Sequence, residues 1–144
     1  MRSQAFEFSD FSLPPAIEEN LGKLINLGLR PIITHPERNP LLQKTPERVL
    51  GWVRGGCAVQ ITANSLTGRW GRKADATARW LFDNQAVHFL ATDAHGLTSR
   101  PPILSDAREV AKQIAGEVVA EALVTLNPRA VIHGEPLPHF PKLT

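Results

Sequence analysis

The sequence predicts an α/β fold: a partial, distorted (β/α) barrel of mostly parallel strands with flanking helices. Short apolar runs of strand type alternate with stretches of helical period along the 144 residues, the pattern of repeated βα units. Two of those runs lead straight into polar residues where a strand should stop, as strands at the active face of a parallel sheet or barrel do. Three strands and a fourth at the amino end can be read from the chain, whereas a closed (β/α)₈ barrel takes about 250 residues.

Ala5-Phe6-Glu7-Phe8 reads as the amino-end strand, followed by turn material through Pro15. Ile17, Leu21, Leu24 and Ile25 then recur at helical spacing and stop at Gly28, so the spacing predicts a helix over 15–27. Pro31–Thr34 follows as a buried strand. Thr45 and Pro46 suggest a helix N-cap with proline in the first turn, and Val49, Leu50, Trp52 and Val53 supply an apolar face ending at Gly55-Gly56. Cys57–Ile61 is the next strand, Lys73–Asn84 the next helix and Val87–Ala91 the last strand. Ser105–Ala115 and Glu117–Leu126 read as helices, Asn127-Pro128 as the cap of a short final turn closed by Gly134, and the proline-rich 136–141 as an extended surface tail.

Composition narrows the function. A net charge of +2 with scattered basic residues gives no basic stripe for nucleic acid. No apolar run approaches the roughly 18 residues that suggest a membrane span, and the start lacks a signal-type apolar core. The single cysteine, Cys57, excludes an internal disulfide and, lying in an apolar run, reads as a buried structural thiol in a reducing compartment. A cytoplasmic protein with no membrane insertion is expected.

The chemistry concentrates at strand ends. Thr92-Asp93-Ala94-His95-Gly96 follows the Val87–Ala91 strand. Extended residues i and i+2 share a face, so Asp93 and His95 can address one metal ion or one substrate. Mixed oxygen and nitrogen donors suit Mn, Fe or Zn better than Ca or Mg. His35-Pro36-Glu37-Arg38 leaves a second strand in the same way, adding an imidazole and a guanidinium, and Arg100 in Ser99-Arg100-Pro101-Pro102 supplies a second fork matched to phosphate oxygens. These groups point to metal-assisted attack on a phosphate ester, the arginines Arg38 and Arg100 holding non-bridging oxygens. Thr62-Ala63-Asn64-Ser65 can either line that face or cap the following helix. His88, at the start of its strand, reads as structural; His133 and His139 are better explained by a helix end and by solvent; Trp70, in a loop, could flank a substrate.

Taken together, the blocks Pro31 to Asn39, Gln60 to Gly68 and His88 to His95 with Arg100-Pro101-Pro102 resemble the bacterial capsular-polysaccharide protein-tyrosine phosphatases of the PHP (polymerase and histidinol phosphatase) superfamily. The ending Asn127 to Val131 with Gly134 and Pro136 resembles that family's closing helix, and the similarity runs from about Phe6 to Pro138. The resemblance implies one PHP-like phosphatase domain over residues 1–144, incomplete at its N-terminus. It also implies a metal centre, typically of manganese, with iron, zinc or cobalt as other divalent metals. The implied substrate is phosphotyrosine on the tail of a polysaccharide-synthesis tyrosine kinase. Matched residue by residue, it makes Glu7, His35, Asp93 and His95 metal ligands, and Arg38 and Arg100 phosphate-holding arginines. No cysteinyl intermediate is implied.

One departure bears on activity. The family's opening D-x-H-x-H block and a further early histidine have no counterpart, since no histidine precedes His35. The expectation is therefore a C-terminal portion that acts with a complementing N-terminal fragment, or a remnant that binds a phosphorylated or acidic tail without hydrolysing it. A PHP phosphoesterase acting on a small phosphorylated metabolite is a third reading. Open sheet edges would favour a homo-oligomer.

Overall fold

The computed structural model describes residues 2–7, 12–92 and 104–143. Four strands, β1 (Arg2–Phe6), β2 (Leu29–Thr34), β3 (Ala58–Thr62) and β4 (Phe89–Ala91), form one parallel sheet in the order β1-β2-β3-β4. The register pairs Phe6 with Ile33, Thr34 with Gln60 and Thr62 with Ala91, so every strand ends on the same side. Among the described residues β1 and β4 are the sheet edges.

The helices are α1 (Ile17–Asn26), α2 (Pro40–Lys44), α3 (Glu47–Arg54), α4 (Ala63–Leu66), α5 (Arg72–Asp83), α6 (Ser105–Ala115), α7 (Glu117–Glu121) and α8 (Asn127–His133), with a 3₁₀ turn at Pro36–Arg38. The expected α/β architecture of parallel strands with flanking helices is present. One face of the sheet carries Ile33, Val59, Ile61 and Leu90, buried against Ile17 and Leu21 of α1, Val49 and Val53 of α3, Leu81 of α5 and Leu123. Strand residues alternate faces, so Ile32, Ala58 and Phe89 form a second, smaller cluster on the other side. Cys57 is buried at the foot of β3, its thiol pushed up to about 11 by desolvation, as a structural cysteine should be.

The structure departs from the sequence reading, or adds to it, at five points. The first strand runs Arg2–Phe6 rather than Ala5–Phe8; as an edge strand it accommodates the polar Ser3 and Gln4, which an apolar-pattern reading passes over. Asn39, with its side chain accepting from the amides of Leu41 and Leu42 at 2.9 and 3.3 Å, caps a helix, α2, over residues to which the sequence reading assigns no element. Thr45 does not cap α3: its hydroxyl donates back to the Leu41 carbonyl at 3.0 Å, closing α2 instead. Asn127 is no cap either, for its backbone is helical and the chain runs as helix from Glu117 to His133. The turn before Pro128 widens to a π-turn over Ala122–Leu126, which accommodates a residue that has no N–H and crowds the preceding turn. Gly134 then ends the rod in the left-handed conformation, φ 66°, with the Glu135 amide closing on the Ala130 carbonyl at 2.9 Å.

The fifth point is the tail, which has no regular structure and keeps Pro136 and Pro138 exposed, as expected, but is also packed: Leu137 and Phe140 lie on the Ile32, Ala58 and Phe89 cluster. Phe140 stacks on His88 with centroids 4.5 Å apart, and the Arg30 guanidinium lies over the same Phe140 ring at 4.1 Å. The fully buried Asn127 side chain ties this layer together, donating to the carbonyls of His88 at 2.7 Å and His139 at 2.9 Å and accepting from the His139 amide at 3.0 Å. His139 is thus partly buried rather than solvated. Among the described residues no helix is long and apolar enough to cross a membrane.

Candidate active site

The C-terminal ends of β1 and β2 place the first two groups. Phe6 pairs with Ile33, so Glu7 and His35 leave neighbouring strands together, and Thr34 locks the two ends by donating its hydroxyl to the Phe6 carbonyl at 2.9 Å. His35 Nε2 lies 2.9 Å from Glu7 Oε1; the imidazole is 6% exposed and the carboxylate side chain 71%. His35 adopts a left-handed backbone, φ 39° and ψ 51°, a region that costs a residue with a Cβ about 1–2 kcal/mol. Its amide bond to the Gln60 carbonyl, 2.7 Å, fixes that kink against β3, and Pro36 opens the 3₁₀ turn behind it.

The turn delivers Glu37 and Arg38 in opposite directions. Glu37 points inward and is fully buried, its Oε2 accepting from the Thr62 amide at 3.0 Å and the Ser65 hydroxyl at 2.6 Å. Oε1 is buried without a hydrogen-bond partner among the described residues. Burial outweighs these hydrogen bonds and pushes the carboxyl up to about 7. Arg38 points outward, with its guanidinium over the Trp70 ring at 3.9 Å from the centroid. Thr62 and Ser65 therefore neither cap α4 with their side chains nor stand on an open face; they hold Glu37. At the far end of the sheet, His88 is fully buried, its Nδ1 accepting the Val59 amide at 2.9 Å, a bond that leaves the ring proton on Nε2.

The structure thus brings Glu7 and His35 into contact and sets Arg38 beside them in sequence and on the same turn. Asp93, His95 and Arg100 lie outside the described residues. Among the described residues, no three His, Cys, Asp or Glu side chains converge as a metal site.

The family model for capsular polysaccharide synthesis, CpsB/CapC, matches residues 4–133. The chain belongs to the CpsB/CapC family. It is 30% identical over 136 residues to the tyrosine-protein phosphatase CpsB of Streptococcus pneumoniae, covering 91% of this chain and 56% of that protein. With the tyrosine-protein phosphatase YwqE of Bacillus subtilis the identity is 35% over 94 residues, 65% of this chain and 37% of YwqE. A chain from the crystal structures of YwqE from Bacillus subtilis and CpsB from Streptococcus pneumoniae, described as unique metal-dependent tyrosine phosphatases, superimposes with a TM-score of 0.88 at 28% identity. That match covers 96% of this chain and 55% of that one. The chain spans between 37% and 58% of the length of the curated relatives it matches.

The crystallised YwqE and CpsB are described as metal-dependent. A carboxylate oxygen and an imidazole nitrogen 2.9 Å apart at adjacent strand ends are a donor set that suits a divalent transition metal, so the residues fit as part of such a site. Sequence reasoning missed Glu37 as a contributor. Its signal was present, a carboxylate inside His35-Pro36-Glu37-Arg38 facing a later Thr62 and Ser65, but the turn's inward direction is not written in the spacing.

The two buried titratable groups give opposite pH dependences. His88 is pushed down to about 3, first by burial and then by the nearby His139 and Arg30. The unfolded chain takes up that proton near pH 6.5, so this stability is complete above 6.5 and is lost as pH falls toward 3. Glu37 is raised, so its contribution is complete below its ordinary value of 4.5 and is lost as pH rises through about 7. In their shared window the two offset one another. Urea unfolding of Glu37→Gln should therefore lose about 2 kcal/mol between pH 7 and pH 5, from one proton over about 1.5 pH units, while the wild-type chain changes much less. Matching profiles for the two proteins would contradict this assignment.

Proposed function

We propose that this chain carries the phosphate-holding side, and part of the metal-holding side, of a metal-dependent protein-tyrosine phosphatase site. The observation that carries the reading is the Glu7–His35 contact at adjacent strand ends, with the arginine of the same turn three residues on. The kinship with CpsB and YwqE supports it. Glu7 and His35, with Asp93 and His95, would hold the metal, which we take to be manganese. When bound, a divalent metal supplies Lewis acidity and lowers the pKa of water at the reacting phosphorus.

The rest is done by the chain's own groups. The Arg38 guanidinium lies over the Trp70 ring, 3.9 Å from its centroid, and a guanidinium's N–H donors form a planar fork suited to two phosphate oxygens. Trp70 thereby helps to hold that fork and sets an apolar ring beside it for an aryl leaving group. Arg100 is the second arginine of the proposed clamp. The substrate proposed is the phosphotyrosine-bearing tail of a bacterial tyrosine kinase of polysaccharide synthesis, met in the cytoplasm, with a complementing N-terminal segment as the partner that would supply further ligands.

A test on the phosphate side is affinity for a phosphotyrosyl peptide by calorimetry. Arg38→Ala should weaken binding by about tenfold or more, as loss of a hydrogen bond to a charged group costs about 1.5–3 kcal/mol. Arg38→Lys should recover only part of that loss, because a point charge replaces a fork. Equal binding by wild type and Arg38→Ala would remove Arg38 from the site.

A further inference from the structure

Glu37 is used by none of the chemistry above, yet it occupies the centre of the turn that presents it. Its carboxylate crosses from the β2 end to the start of α4, taking the Thr62 amide and the Ser65 hydroxyl on one oxygen. Its backbone carbonyl accepts from the Gln43 side chain at 2.8 Å, so the residue is tied at both ends. His35, two positions before it, holds a left-handed backbone ahead of a proline. Such a conformation persists only where the surroundings over-determine it. Among the described residues, the anchor that leads from this turn into β3 and α4 through a side chain is Glu37, and it is kept fully buried with one oxygen unpartnered there, an arrangement that plain packing would not favour.

We infer that Glu37 is a positioning residue: through Thr62 and Ser65 it locks the His35–Arg38 turn, so that the imidazole meets Glu7 and the guanidinium meets phosphate in fixed directions. This rests on the phosphatase reading above. The inference concerns the orientation of the two groups, not contact with substrate, and it assigns Ser65 the partner role on α4.

The test uses the full chain in four forms: wild type, Glu37→Gln, Glu37→Ala and Ser65→Ala. Backbone ¹⁵N order parameters are measured at His35, Glu37 and Arg38, and the affinity for a phosphotyrosyl peptide alongside. A rigid backbone gives an order parameter of about 0.85 and a flexible one below about 0.6. Wild type and Glu37→Gln, whose amide oxygen can accept the same two bonds, should be rigid at the turn. Glu37→Ala should become flexible there while β2 and β3 stay rigid, and its peptide affinity should fall about tenfold, the scale of losing a group that orients a ligand. Ser65→Ala, the milder change, should give a smaller loosening in the same three amides and keeps the test decisive if Glu37→Ala does not fold. A turn as rigid as wild type in a folded Glu37→Ala or Ser65→Ala protein overturns the inference, as does unchanged peptide affinity beside a loosened turn. A wild-type chain that binds no peptide shows a different failure, that of the phosphatase reading itself, before any variant is compared.

Discussion

Asn127→Ala should destabilise the protein by about 3 kcal/mol and free the C-terminal tail. The side chain is fully buried and makes three hydrogen bonds, to the His88 carbonyl, the His139 carbonyl and the His139 amide. Alanine removes every partner at once and leaves these main-chain groups unsatisfied, at roughly 1–3 kcal/mol for each that stays buried. The loss is limited because His139 can recover water once the tail detaches. Detachment also unstacks Phe140 from His88 and uncovers Ile32 and Phe89. Urea unfolding gives the free energy, and hydrogen exchange at the His139 amide gives the tail: exchange should accelerate in the variant under conditions where β2 and β3 remain protected. A loss below about 1 kcal/mol, the net worth of a single ordinary hydrogen bond, would show that Asn127 is not the tie described here.

The second large effect is expected at the proposed metal side. His35→Ala should lower manganese affinity at least about a hundredfold, since even residues that only orient a ligand are worth ten- to a hundredfold. Glu7→Gln should act in the same direction, because an amide oxygen replaces the anionic donor 2.9 Å from His35 Nε2. Titration of the free ion by electron paramagnetic resonance reads this directly, without turnover. The fold is not expected to fail in His35→Ala: its amide bond to Gln60 is made by the backbone, and the imidazole's polar contact is with a largely exposed carboxylate. Unchanged affinity in both variants would remove the pair from the metal site.

The alternation of β and α elements was legible because buried parallel strands are continuous apolar runs and α1, α3 and α5 carry clear helical spacing. Ile33, Val59, Ile61 and Leu90 sit in the core for that reason. What escaped the sequence reading was polar or non-local. The Asn39-Pro40 pair is a cap followed by proline, the same signal read at Thr45-Pro46, but α2 is five residues long and has little apolar period to announce it. Asn127 looked like a cap because asparagine before proline usually is one; only the tertiary fold shows that its amide is taken by residues 39 and 12 positions away. The tail's prolines argued correctly against regular structure, yet Leu137 and Phe140 between them were the sign that it would pack.

At the site, His35 and Arg38 could be picked out by chemistry, whereas Glu7 entered only through the family resemblance and its contact with His35 could not be read. The Glu7 contact depends on the β1–β2 register, which places Phe6 opposite Ile33. Glu37 illustrates the same limit from the other side. A carboxylate beside a candidate ligand reads as a surface charge until the structure turns it inward onto Thr62 and Ser65.

Phosphate release from a phosphotyrosyl peptide decides whether this chain contributes working residues of a metal-dependent phosphatase. The purified folded chain, mixed with an N-terminal segment that carries the D-x-H-x-H block, is assayed with and without manganese, beside Asp93→Asn. The account predicts turnover that requires the metal and disappears in Asp93→Asn. A mixture that binds manganese and peptide yet releases no phosphate, or releases it equally with Asn at position 93, would contradict that contribution.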